Sequence, residues 1–170
     1  MIVNLFGAPC GGKSTVASGL FYEMKCAKMS VELVTEFAKD LIYSGRSKCL
    51  DNQLYVSATQ EYRIDRVYGQ VDWVITDAPI LQGLAYVQFY YQNYPKLMFE
   101  IHHSRRNVNF LLRRRTEYST NGREQNEEES NEIHEKLIRI LCDHGLIYEE
   151  IESDNQAVSK IFNRIREFKR

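Results

Sequence analysis

The run Gly7-Ala8-Pro9-Cys10-Gly11-Gly12-Lys13-Ser14 carries the spacing G-x-x-x-x-G-K-[ST] of a phosphate-binding loop. Each fixed position has a physical task. Glycine at 7 and 12, with Gly11 beside them, lets the backbone turn tightly with no Cβ in the way. Loop N–H groups, Cys10 and Thr15 included, can then face phosphate oxygens at the positive end of the helix that follows. Lys13 supplies a mobile charge for the β- and γ-phosphates, and the Ser14 hydroxyl a ligand for Mg²⁺. The pattern arises by chance in roughly one chain in 150 of this length. Its setting narrows that further: Met1 to Phe6 reads as a short apolar strand, and Thr15 to Phe21 opens a helix. The chemistry expected here is binding of a nucleoside triphosphate, ATP, with Mg²⁺.

Further along, Asp77 closes the apolar strand Asp72-Trp73-Val74-Ile75-Thr76-Asp77. A carboxylate at that place can hold Mg²⁺ beside Ser14, directly or through water, while Pro79 turns the chain away from helix. Glu36 follows the second strand. A carboxylate there can orient an acceptor hydroxyl and take its proton, although first-turn placement of a helix explains the same residue. Asp40, one turn on, is a weaker competitor. Arg113-Arg114-Arg115 leave the fourth strand, and Arg123 follows in a polar stretch punctuated by Gly122. These features read as a lid over about 113–130, whose arginines stabilise the transferring phosphoryl group and exclude water on closure. A solvated basic turn is the ordinary alternative.

Other candidates carry less. Glu127-Glu128-Glu129 suits the start of a helix, and Glu132–Lys136 and Glu135–Arg139 are favourable i,i+4 pairs on it. The four histidines show no metal-ligand spacing. The four cysteines are dispersed, as reduced thiols are. Cys10 sits where a helix end lowers a thiol pKa, but a variable loop position explains it as well. Tyr86, Phe89, Tyr90, Tyr91 and Tyr94 can wall a pocket for a planar base, with core packing as the default.

The elements that must position these residues alternate. A second strand at Val31–Thr35 leads to a short helix from Glu36 to Tyr43. Asn52 to Tyr68 reads as helix with Leu54, Ala58, Tyr62 and Val67 on its buried side. Leu81 to about Tyr91 and a segment from Pro95 read as helices. A fourth strand covers Asn107–Leu112, another helix runs to about Asp143, and a fifth strand covers Leu146–Ile151. A last helix follows, capped by Ser153 or Asp154. Such alternation predicts a parallel sheet with helices on both faces and ligands at the strands' carboxyl ends, where Gly7, Glu36, Asp77 and Arg113 all fall.

A chain of 170 residues, 44% apolar and 26% charged, fits one globular domain over 1–170. A net charge of −1 argues against a broadly basic nucleic-acid surface. No apolar run approaches the ~18 residues of a bilayer span, and no leader features precede the first strand, so a cytoplasmic protein is expected. An AAA+ motor would need an accessory helical domain for which the chain has no room.

Gly7 to Thr15, Val34 to Lys39, Val74 to Pro79, and Tyr118 to Arg123 followed by Gln125 occur in the same order elsewhere. Over nearly its whole length the chain resembles a family of small P-loop kinase-like proteins, many phage-encoded. That family is similar to the ribosylnicotinamide kinase domain of bacterial NAD-biosynthesis regulators. The resemblance implies a three-layer P-loop NTPase fold with sheet order 2-3-1-4-5 and ATP–Mg²⁺ as donor. It implies phosphate and metal roles for Lys13 and Ser14, a strand-end carboxylate in Asp77, and lid roles for Arg113 and Arg123. The bifunctional regulator's nucleotidyltransferase region has no counterpart here.

The expected function is therefore an ATP-dependent kinase acting on a nucleoside- or nucleotide-like small molecule, in the host cytoplasm if phage-encoded. Phage relatives that phosphorylate hydroxymethylated pyrimidines in DNA supply one alternative, along with polynucleotide ends. A nucleotide-dependent switch without an acceptor supplies the other, although no N-K-x-D guanine-reading sequence occurs.

Overall fold

The computed structural model describes residues 1–87, 91–115 and 126–168. Its centre is a parallel sheet of five strands in the order β2-β3-β1-β4-β5: β1 Ile2–Phe6, β2 Val31–Val34, β3 Trp73–Thr76, β4 Asn107–Arg113 and β5 Glu149–Glu152. β1 is central, with Ile2 in register with Val74 of β3 and with Asn107 of β4. Its five residues are all buried, as expected of a strand covered on both faces. The predicted order 2-3-1-4-5 is the observed one.

Six α-helices flank the sheet among the described residues: α1 Lys13–Cys26, α2 Phe37–Tyr43, α3 Gln53–Asp65, α4 Tyr94–His103, α5 Glu127–Asp143 and α6 Ala157–Glu167. On one face, Val3, Leu5, Phe110 and Leu112 pack against Leu20 and Met24 of α1 and Ile161 and Ile165 of α6. On the other, Phe6 and Leu111 pack against Met98 of α4, Leu137 and Leu141 of α5, and Leu81 and Leu84. The residues alternate across each strand because successive side chains point to opposite faces. No helix among the described residues is long and apolar enough to cross a membrane.

Several boundaries differ from expectation. The segment Ile80–Ala85 is a 3₁₀ turn rather than the first half of a helix to Tyr91, and Ser47–Asp51 is another. β5 begins at Glu149, and Asp154 turns the chain before α6 instead of capping it, its Oδ1 accepting from the Gln156 N–H at 2.9 Å. α3 buries a different side from the one its apolar residues suggest. Leu54 and Tyr62 are exposed, while Ser57, Gln60 and Ile64 are buried. The polar pair is satisfied: Ser57 Oγ lies 2.6 Å from Tyr94 Oη, and Gln60 Oε1 accepts from the Phe37 N–H at 2.9 Å. Burying a bonded hydroxyl and carboxamide costs little, so periodicity of apolar residues alone pointed the wrong way.

A second polar cluster runs inside the sheet. Asn4 Nδ2 donates to Oδ1 of both Asn107 and Asn109, each at 2.9 Å, and Asn107 Nδ2 donates to the His102 carbonyl at 2.6 Å. His102 is buried at the end of α4, and burial, with His103 beside it, pushes its pKa from 6.5 down to about 4. Between those values the unfolded chain binds a proton that the folded chain refuses. This contribution to stability is complete above 6.5 and is lost as pH falls towards about 4. The urea midpoint is expected to drop between about pH 7 and pH 5, and His102→Gln to flatten that drop. An equally steep drop in the variant would reject the assignment.

α1 and α6 approach closely at Gly19, where a Cβ would stand 2.8 Å from Val158 Cγ2. In an open helix Gly→Ala gains about 1 kcal/mol. Here the stiff β-branched neighbour cannot yield, so Gly19→Ala is expected to cost about 1–2 kcal/mol. Val158→Ala in the same chain should recover part of it; additive losses in denaturant melts would count against this contact.

Candidate functional site

The loop from Gly7 to Gly12 joins central β1 to α1, and three other elements brace it. Gln82, buried in the 3₁₀ turn after β3, accepts the Gly7 N–H through Oε1 at 3.3 Å. Ser130 of α5 donates through Oγ to the Pro9 carbonyl at 2.8 Å. Ser153, after β5, lies so close to Gly12 that a Cβ there would come within 2.1 Å of its Oγ. Gly12 also has φ 77°, a conformation favouring glycine, and Cys10 adopts φ 62°. α1 begins at Lys13 with no acidic residue in its first turn, leaving the positive helix end uncompensated by its own side chains.

Lys13 is buried, and its Nζ donates to the carbonyls of Gly7 and Ala8 at 2.8 and 3.1 Å. Across the loop, Lys39 of α2 donates through Nζ to Ser14 Oγ at 2.6 Å. Nothing in the chain's pattern singled out Lys39, although the stretch that resembles the kinase-like family ends on it. Its position three residues after Glu36, in the first turn of α2, was the available signal. Gln82, Ser130 and Ser153 were equally unannounced, since their role is to touch backbone that is remote in sequence.

Asp77 follows β3, immediately beside β1, and is 1% exposed. Its Oδ1 has no hydrogen-bond partner among the described residues. A buried carboxylate oxygen left so is costly unless a cation meets it. Asp77 is not among the cavity-lining residues, although Ala78 and Pro79 after it are; its carboxylate and the Ser14 hydroxyl are each a hard oxygen donor of the kind Mg²⁺ takes. No group of three or more His, Cys, Asp or Glu able to hold a metal occurs among the described residues. That also fits Mg²⁺, which keeps waters and takes phosphate oxygens from its substrate.

A cavity of about 1080 Å³ opens in front of the loop. Cys10, Gly11, Gly12, Lys13, Ser14 and Thr15 line one wall; Glu36 and Lys39 stand on another. The far end is formed by Gln53 and Ser57 of α3 with Tyr86, Tyr91 and Tyr94. Of these tyrosines only Tyr94 is core, 5% exposed, whereas Tyr91 is 74% exposed. Phe89 and Tyr90 lie outside the described residues.

The arginines are distributed differently. Arg113 ends β4 and faces Glu150 at 3.5 Å, and it is not among the cavity-lining residues. Arg114 bonds Glu127 at 2.8 Å and Asn131 at 3.0 Å, tying β4 to the start of α5. Glu127 to Ser130, at the end of the expected lid, belong to α5. Arg123 and the Tyr118–Gln125 stretch lie outside the described residues.

Comparison with known proteins follows this geometry. A family model described as an AAA domain matches residues 2–157. No curated protein matches the sequence significantly. The fold is similar to that of deoxyadenosine kinase from M. mycoides with bound dATP, at a TM-score of 0.64 and 13% identity, covering 98% of this chain and 100% of that one. It is similar to the same enzyme with products dCMP and dCDP, at a TM-score of 0.62 and 14% identity over 98% and 100%. Thymidylate kinase from Ehrlichia chaffeensis gives 0.63 and 14% identity, over 100% of this chain and 98% of that one.

If Asp77 meets the metal, Asp77→Asn should leave nucleotide affinity in EDTA near the wild-type value. The tightening produced by Mg²⁺ should fall about 10- to 100-fold. Calorimetric titration with a non-hydrolysable ATP analogue reads both. Full tightening in the variant would remove Asp77 from the metal site.

Proposed function

The chain belongs to this AAA domain family, and from that premise we propose that it is an ATP-dependent kinase for a nucleoside- or nucleotide-like small molecule. One observation carries the proposal: a single cavity joins the phosphate-binding loop to a second wall of aromatic rings and carboxamides. Its volume of about 1080 Å³ exceeds what one ordinary ligand fills, so it has room for a donor and an acceptor side by side. A simple hydrolase needs only the first half of such a cavity. Tyrosine faces beside Gln53 and Ser57 suit a planar heterocycle with polar edges.

In this reading the loop backbone and Lys13 bind the triphosphate, Lys13 exchanging carbonyl partners for phosphate oxygens. Magnesium, held by Ser14 and Asp77, would neutralise phosphate charge. Glu36 orients the acceptor hydroxyl. The acceptor oxygen bonds to the γ-phosphorus as the bond from phosphorus to the β–γ bridging oxygen breaks. ADP leaves with that electron pair, and Glu36 takes the hydroxyl proton. Arg113 and Arg123 are proposed to approach the phosphoryl group only on closure, Arg113 then leaving Glu150.

The test is transfer of labelled γ-phosphate from ATP–Mg²⁺ to ribonucleosides, deoxynucleoside monophosphates, ribosylnicotinamide, and DNA with or without hydroxymethylpyrimidines. A labelled small molecule is expected, with turnover reduced at least 100-fold in Lys13→Ala at unchanged circular dichroism. Label on DNA alone would move the protein to DNA modification. ATP binding with no labelled acceptor would replace the kinase by a switch.

A further inference from the structure

We propose that Lys39 is a positioning cation that occupies the metal's place on Ser14, neutralises the phosphate chain while the metal is absent, and is displaced from Ser14 when the metal binds. The inference rests on the nucleotide-binding half of the reading above. Its starting point is the 2.6 Å contact from Lys39 Nζ to Ser14 Oγ. An ammonium has three donors and no acceptor, so the hydroxyl oxygen is the acceptor. That oxygen is the one the loop motif offers to Mg²⁺.

Lys39 is half-buried, and among the described residues it makes no ion pair with a carboxylate. Lys13 donates to the Gly7 and Ala8 carbonyls. Two ammonium groups therefore converge on one loop. A polyanion is the ligand that such an arrangement favours.

The hydroxyl cannot keep both cations at contact distance. A divalent ion taken by Ser14 Oγ would repel an ammonium on the same oxygen. Lys39 must then leave that oxygen, while its stem stays rooted on the cavity wall beside Glu36. Glu36 lies three residues earlier, as the residue that caps the seven-residue helix α2. Metal arrival thus acts on the same short element that carries the acceptor-orienting carboxylate. Without metal, Lys39 partly neutralises the triphosphate; with metal bound, its share of that charge is smaller.

This arrangement has a signature that a merely structural lysine lacks. Binding of the β,γ-imido analogue of ATP to the full chain would be measured by calorimetry in EDTA and in Mg²⁺, for wild type, Lys39→Met and Lys39→Arg. Lys39→Met is expected to weaken binding about tenfold in EDTA and clearly less in Mg²⁺, raising the ratio of the two dissociation constants several-fold. Lys39→Arg, which keeps the charge, should restore most of the metal-free affinity. In the transfer assay Lys39→Met should lower kcat more than it raises KM for ATP. Unchanged melting temperatures would show that both variants fold. A wild-type ratio of affinities in Lys39→Met overturns the proposal, even if the chain is a kinase. The shifted ratio without transfer by the wild type to any acceptor would support Lys39 and overturn the kinase reading alone.

Discussion

The phosphate-binding loop keeps its shape because residues from three other elements hold its backbone. Gln82 takes the Gly7 N–H, Ser130 reaches the Pro9 carbonyl, and Ser153 closes on Gly12. A loop with a left-handed Cys10 and Gly12 would not hold one conformation on local preference alone. The brace arrives from the turn after β3, from α5 and from the turn after β5. Parallel topology explains why all three are near: every strand of the sheet delivers its following segment to the same edge. The sheet is thus the means by which remote polar side chains reach one backbone.

That architecture was largely visible in the sequence. Five apolar strand segments alternating with helices gave the layers and the functional edge, and the strand order followed from family resemblance. The loop itself was legible because its geometry demands particular residues at fixed spacing. The side of α3 that is buried was not. Ser57 and Gln60 are inside because each finds a partner, Tyr94 and Phe37, whose proximity depends on the tertiary fold. Apolar periodicity contains no term for such pairs. Lys39 was overlooked for a related reason: a lysine on a short helix looks like a solvated charge until the loop is folded against it. Arg114 shows the reverse. Within a run of three arginines it resembles its neighbours, yet it fastens β4 to α5 through Glu127 and Asn131.

Polar groups inside this protein fall into two kinds. Asn4, Asn107 and Asn109 are mutually satisfied and fix the register of β1 against β4. Asp77 differs, since its Oδ1 is buried with no partner among the described residues. The first kind specifies the fold. The second stores unfavourable energy beside Ala78 and Pro79, which line the cavity, and a bound cation could recover it.

The place of β1 in the sheet also dictates an order of events in folding. Ile2 is the neighbour of Val74 on one side and of Asn107 on the other. β1 therefore gains its second partner only when β4 has been made, and the loop attached to it stays unbraced until α5 and the turn after β5 have followed. Closing such long intervals of chain is entropically slow. The shape of the Gly7–Gly12 loop thus depends on a contact 121 residues further along the chain, from Ser130 to the Pro9 carbonyl.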